Sequence, residues 1–143
     1  METHVTDILI AEQGKPCVLP FYLESINAGF PSPAADYVEG KLDLNEYLIK
    51  HPAATFMVRV TGESMVDAGI HSQDLLVVDR SLEPVDGRIV IAVIDGELTV
   101  KRLRKKNGQI WLMAENGDYP PIHVTADVTL LVWGVVTAVI HPV

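Results

Sequence analysis

The chain has 143 residues, 48% of them hydrophobic, and a formal net charge of −8. That length supports one core and an arm rather than two full domains, and the acidic balance excludes a protein held on phosphate backbones, whose affinity comes from Lys and Arg. A single cysteine, Cys17, cannot close an internal disulfide, which fits a reducing compartment; no signal-peptide pattern and no apolar run of about 18 residues is present, so a soluble, cytoplasmic protein without a membrane partner is expected.

In chain order, residues 1 to about 40 carry no sustained period. Val5, Ile8, Leu9 and Ile10 could cover apolar surface, but Pro16, Pro20, Pro31 and Pro33 prevent one continuous helix or central strand. The segment reads as an arm that lies on something. Asn27-Ala28-Gly29-Phe30-Pro31-Ser32-Pro33 sets small residues against two prolines that favour extended backbone before them. By composition this is a linker; it is also the uncluttered, extended kind of segment a peptidase takes as substrate.

From Asp43 the signals become regular. Asp43 with Glu46 resembles a capping box, and Leu44, Tyr47 and Leu48 share a helical face before His51-Pro52, which predicts one short helix. Strands are predicted at Thr55 to Thr61, Leu75 to Val78, Arg88 to Ile94, Glu97 to Leu103, Ile110 to Ala114 and Val128 to Ile140. Turn residues separate them, among them Asp95-Gly96, Asn107-Gly108 and Glu115-Asn116-Gly117-Asp118. The body is therefore expected to be mainly β and antiparallel, with one short helix and an extended N-terminal arm.

Thr61-Gly62-Glu63-Ser64-Met65 reads as a strand end that turns sharply and leaves one hydroxyl at the bend, so Ser64 is a candidate nucleophile; a turn serine that caps local backbone has the same pattern. Val66 and Asp67 stand where a G-x-S-x-G elbow and an S-x-x-K motif would need glycine and lysine. Asp95-Gly96 between two apolar runs is a two-residue hairpin signal, and its register would set Ile94 opposite Glu97, Ala92 opposite Thr99 and Val90 opposite Lys101. Lys101 would then lie on an apolar face, where desolvation disfavours the charged ammonium and leaves an amine able to take a proton from serine. Lys101 also opens a basic run with Arg102, Arg104, Lys105 and Lys106, which by composition reads as a solvated hairpin tip. His4, His51, His71, His123 and His141 have no motif behind them and are expected on the surface or in turns; Asp67, Asp74 and Asp79 are expected as solvated turn residues. No metal site and no cofactor is expected.

Gly62-Glu63-Ser64-Met65, Asp74-Leu75-Leu76-Val77-Val78-Asp79, Asp86-Gly87-Arg88-Ile89-Val90, Thr99-Val100-Lys101-Arg102-Leu103, and Ala114-Glu115-Asn116 before Tyr119-Pro120-Pro121-Ile122 together resemble the LexA-type self-cleaving serine peptidases. The short arm and Phe30-Pro31-Ser32-Pro33-Ala34-Ala35-Asp36-Tyr37 narrow the resemblance to the UmuD branch, accessory subunits of the error-prone DNA polymerase V. The resemblance implies a LexA C-terminal-domain-like (β-clip) body, residues 29–143, and an arm, residues 1–28, removed by self-cleavage between Ala28 and Gly29. It implies Ser64 as nucleophile, Lys101 as base, and backbone N–H groups around Glu63 and Ser64 as the oxyanion hole. It further implies a homodimer, stimulation by a RecA filament on single-stranded DNA, and a product that activates a UmuC-type polymerase in SOS mutagenesis. An arm of this length cannot hold a helix-turn-helix with its own core, so direct sequence-specific DNA binding is not expected. Two alternatives stay open: a non-enzymatic dimeric interaction module regulating a polymerase or a repressor, in which Ser64 and Lys101 are incidental, and a peptidase domain acting on a phage-type repressor in trans.

Overall fold

Apolar alternation punctuated by Gly and Asn turns builds an antiparallel sheet, and the computed structural model, which describes residues 1–11, 14–22 and 38–143, has that architecture. Its strands are β1 His4–Ile10, β2 Val18–Tyr22, β3 Val38–Asp43, β4 Thr55–Thr61, β5 Leu75–Asp79, β6 Ile89–Ile94, β7 Glu97–Lys106, β8 Gln109–Met113, β9 Ile122–Val124 and β10 Leu130–Ile140, with one α-helix, α1, at Leu44–Leu48.

The chain divides into two units. The first joins Met1–Ala11 to His51–Val143 and holds an eight-stranded sheet in the order β1-β4-β5-β10-β6-β7-β8-β9. β1 also pairs with β7 through His4 and Thr99, so the sheet curls back on itself and the N-terminal strand spans both sides of the curl. β10, eleven residues long, pairs with β5 on one side and β6 on the other. It is bulged between Val132 and Gly134, where a Cβ on Gly134 would lie 2.6 Å from Val78. One face buries Val58, Val60, Leu76, Val78, Ile91 and Val100 with Met65 and Ile70; a second cluster gathers Val90, Ala92, Leu103, Leu112 and Val135.

The second unit, Glu12–Lys50, contains the antiparallel pair β2–β3 and α1. Asp43 caps that helix: its Oδ1 accepts the Asn45 N–H at 3.0 Å and also the Cys17 N–H at 3.1 Å.

The predicted hairpin has the predicted register. Asp95 and Gly96 both take left-handed φ (49° and 86°), and Ile94 faces Glu97, Ala92 faces Thr99 and Val90 faces Lys101. Asn107 and Gly108 repeat the device between β7 and β8, with φ of 51° and 75°. The arm departs from expectation. Its first residues form a sheet strand, and although Val5 packs on the core, Ile8, Leu9 and Ile10 are exposed among the described residues rather than covering apolar surface. Strand pairing is satisfied by backbone groups, so β1 joins the sheet without burying all of its side chains.

Candidate active site

The bend after β4 depends on Gly62. Its φ of +109° is left-handed, and a Cβ there would lie 2.4 Å from the Glu2 carbonyl oxygen, so glycine is required both for the turn and for the close approach of another backbone. The Gly62 N–H donates to the Ser72 hydroxyl at 3.2 Å. Residues 115 and 116 brace the bend from the other side. The Glu115 N–H donates to the Ser64 carbonyl at 2.9 Å, the Asp67 N–H donates to the Glu115 carbonyl at 2.8 Å, and the Asn116 amide donates to the Glu63 carbonyl at 3.0 Å. Arg102, next to Lys101 on β7, ion-pairs with Glu115 and ties the strand to the same brace.

Ser64 is fully buried and Lys101 is 1% exposed. Lys101 stands on the β7 face shared with Thr99 and Leu103 and opposite Val90, as the hairpin register requires. The chain's own first three residues engage both side chains. The Thr3 N–H donates to Ser64 Oγ at 2.7 Å, and Lys101 Nζ donates to the Glu2 carboxylate. The Met1 carbonyl accepts the Glu63 N–H at 3.0 Å, and the Thr3 carbonyl accepts the Val100 N–H at 3.2 Å. The terminal amine of Met1 donates to the Glu63 carboxylate and to the Tyr119 hydroxyl.

The hydrogen bond from that amine pulls Glu63 below the usual carboxylate range, against the opposing effect of desolvation. Tyr119 is pushed up by desolvation and by the neighbouring Glu63 charge. The bend and β7 therefore hold the chain's own first three residues through backbone amide groups, the N–H groups of Glu63 and Val100. They present one hydroxyl and one amine to consecutive residues of the bound strand.

Ser64, Lys101 and Glu63 are thus each engaged by one of residues 1–3, whereas Ala28 and Gly29 lie outside the described residues. Glu2, Thr3 and the role of Tyr119 were not legible in the sequence, because Met1-Glu2-Thr3 carries no periodicity and its partners are more than 60 positions away. Lys101 is not the bare amine on an apolar face that the hairpin alone implied: a carboxylate from a remote segment pairs with it. The carboxylates need correction as well. Asp67 is exposed as expected, but Asp74 and Asp79 are 1% and 3% exposed. Each is satisfied by histidine, His141 on Asp74 and His51 on Asp79; these histidines lie at the surface as expected, about half exposed, and are also partners of buried acids.

The Peptidase S24-like family profile matches residues 20–137. The chain is 50% identical to protein SamA of Salmonella typhimurium over 94% of both chains. It is 48% identical to protein MucA of Escherichia coli over 87% of both. It is 41% identical to the LexA repressor of Dechloromonas aromatica, covering 81% of this chain and 55% of the repressor.

Proposed function

The chain belongs to the Peptidase S24-like family, and from that premise we propose that it is a self-cleaving serine peptidase of the UmuD type that cuts its own Ala28–Gly29 bond. Ser64 Oγ attacks the Ala28 carbonyl while Lys101 takes the hydroxyl proton and passes it to the Gly29 amine as the C–N bond breaks. The N–H groups of Glu63 and Ser64 hold the oxyanion. Water then hydrolyses the ester, releasing residues 1–28 from residues 29–143.

The observation that carries this reading is the pair of contacts from adjacent residues: Thr3 on Ser64 and Glu2 on Lys101. A buried hydroxyl and a buried amine contacted by consecutive residues of an extended chain support a Ser-Lys reading. They also support a resting state in which residues 1–3 occupy the cleft, so that cleavage requires the arm to withdraw them and present residues 28 and 29. A RecA filament on single-stranded DNA acts as the trigger by favouring that rearranged state, a population shift. The product, a cytoplasmic homodimer, activates a UmuC-type polymerase in SOS mutagenesis.

The test is incubation of pure protein at mildly alkaline pH, with and without active RecA filaments, followed by mass spectrometry. Two fragments ending at Ala28 and beginning at Gly29 are expected, and both Ser64→Ala and Lys101→Ala abolish them. A chain that stays intact after long incubation with active filaments overturns the proposal and favours an interaction module.

A further inference from the structure

Outside the cleft, two histidines converge on a buried acid. Asp74, just before β5, has a side chain 1% exposed. One carboxylate oxygen accepts the His71 backbone N–H at 2.8 Å and lies 3.8 Å from His71 Nδ1. The other meets His141 Nδ1 at 2.5 Å. The two imidazoles are about half exposed, their centroids 5.0 Å apart with the planes tilted by 41°. One ligand atom from each of the three residues can be chosen so that all lie within 4.8 Å of one another.

We infer that His71, Asp74 and His141 form a binding site for a divalent transition-metal ion of the zinc class, with two imidazoles and one carboxylate as protein ligands.

Zinc holds nitrogen and oxygen ligands at about 2.0–2.2 Å, which sets neighbouring ligand atoms about 3.3 Å apart. The separations of 2.5 and 3.8 Å, one from each carboxylate oxygen, straddle that value, and the three ligand atoms lie within 4.8 Å of one another, so shifts of up to about 1.5 Å reach it. The anchor and the adjustable parts are distributed suitably for this. The carboxylate is buried and held by the His71 N–H, while the histidines sit in the turn at residues 71–74 and just past the end of β10. Their half-exposed rings leave solvent access for water to complete a four-coordinate shell. Two imidazoles favour zinc, copper or nickel over magnesium and calcium, which take all-oxygen shells. The pair His51–Asp79 makes a useful contrast, since its acid turns its other oxygen to Ser81 and, among the described residues, gathers no second histidine.

A bound ion would fasten residue 141 to the turn that supports the bend. Ser72 in that turn accepts the Gly62 N–H, and the Gln73 N–H and Asp74 carbonyl bond to Val60. Binding to the folded chain alone would stabilise that corner by mass action.

The experiment is calorimetric titration of untagged, chelator-treated full-length protein with zinc chloride at about pH 7.5. One ion per chain is expected, and His71→Ala and His141→Ala should each weaken binding about tenfold or more through loss of a ligand. His123→Ala, whose ring stacks on Trp111 away from this cluster, should bind as the parent does. In electron paramagnetic resonance with copper(II), nitrogen couplings from two imidazoles should fall to one in either histidine variant. Circular dichroism without metal confirms that the variants fold, which the half-exposed rings favour. A stoichiometry well below one, or zinc affinity unchanged in the His71→Ala/His141→Ala double variant, overturns the assignment.

Discussion

Glu2→Gln isolates the contact that sets the resting state. Lys101 is 1% exposed and its carboxylate partner is 41% exposed. Removing one member of a fully buried ion pair costs about 3–5 kcal/mol, because the remaining charge is left without compensation. Two-fifths exposure of Glu2 lets water screen the pair, which lowers the expected cost to about 1–2 kcal/mol. That penalty falls on the state with residues 1–3 in the cleft and is relieved when they leave. The occupied population should therefore drop about 5- to 30-fold relative to the open one. If occupancy limits cleavage, the first-order rate of Ala28–Gly29 scission should rise by up to that factor, read as the loss of intact mass over time at fixed pH. Deleting residues 1–3 should accelerate cleavage at least as much, and adding Ser64→Ala to either change should stop it. A Glu2→Gln chain that melts like the parent yet cleaves no faster would refute the idea that the N-terminal residues hold the cleft.

Gly134→Ala should lower stability by about 1–3 kcal/mol in denaturant titration, since its Cβ would meet Val78 at 2.6 Å inside a bulge; an unchanged midpoint would contradict the packing at β10. Leu76→Ala, at a fully buried position, should cost about 2–5 kcal/mol, whereas Leu131→Ala, 57% exposed, should stay within about 0.5 kcal/mol; equal effects would place the core elsewhere. Asp79 supplies an acid-limb prediction. Burial alone would raise its pKa, but hydrogen bonds from Ser81 and His51 outweigh burial and lower it. A depressed folded value gives stability that is present above the ordinary aspartate range and lost as pH falls through the folded value. Melting temperature below about pH 4 should thus fall more steeply in the parent than in Asp79→Asn; parallel curves would remove Asp79 as a cause.

Much of the body was legible locally. Asp95-Gly96 dictated the β6–β7 register residue by residue, because a two-residue turn with left-handed φ at both positions leaves the flanking strands one way to pair. That register alone placed Lys101 on the buried face beside Val90. The six strands read from alternation and apolar runs all form, with ends that match or shift by a few residues. β1, β2, β3 and β9 were not read. β9 has only three residues, too short for periodicity, and the first three lie in the proline-bearing stretch, where pairing rather than propensity decides strand formation.

The candidate site divides along the same line. Gly62 beside Ser64, and the hairpin that buries Lys101, are short-range features, and the amino-acid order determined them without reference to the rest of the molecule. Which groups would face that hydroxyl and amine was decided in three dimensions. Glu2, Thr3 and Tyr119 arrive from the two ends of a curled sheet, and His141 reaches Asp74 only because β10 lies beside β5. Local turns act through backbone conformation over a few residues, whereas a charge partner for a buried side chain is supplied by whichever distant strand the sheet closure brings against it.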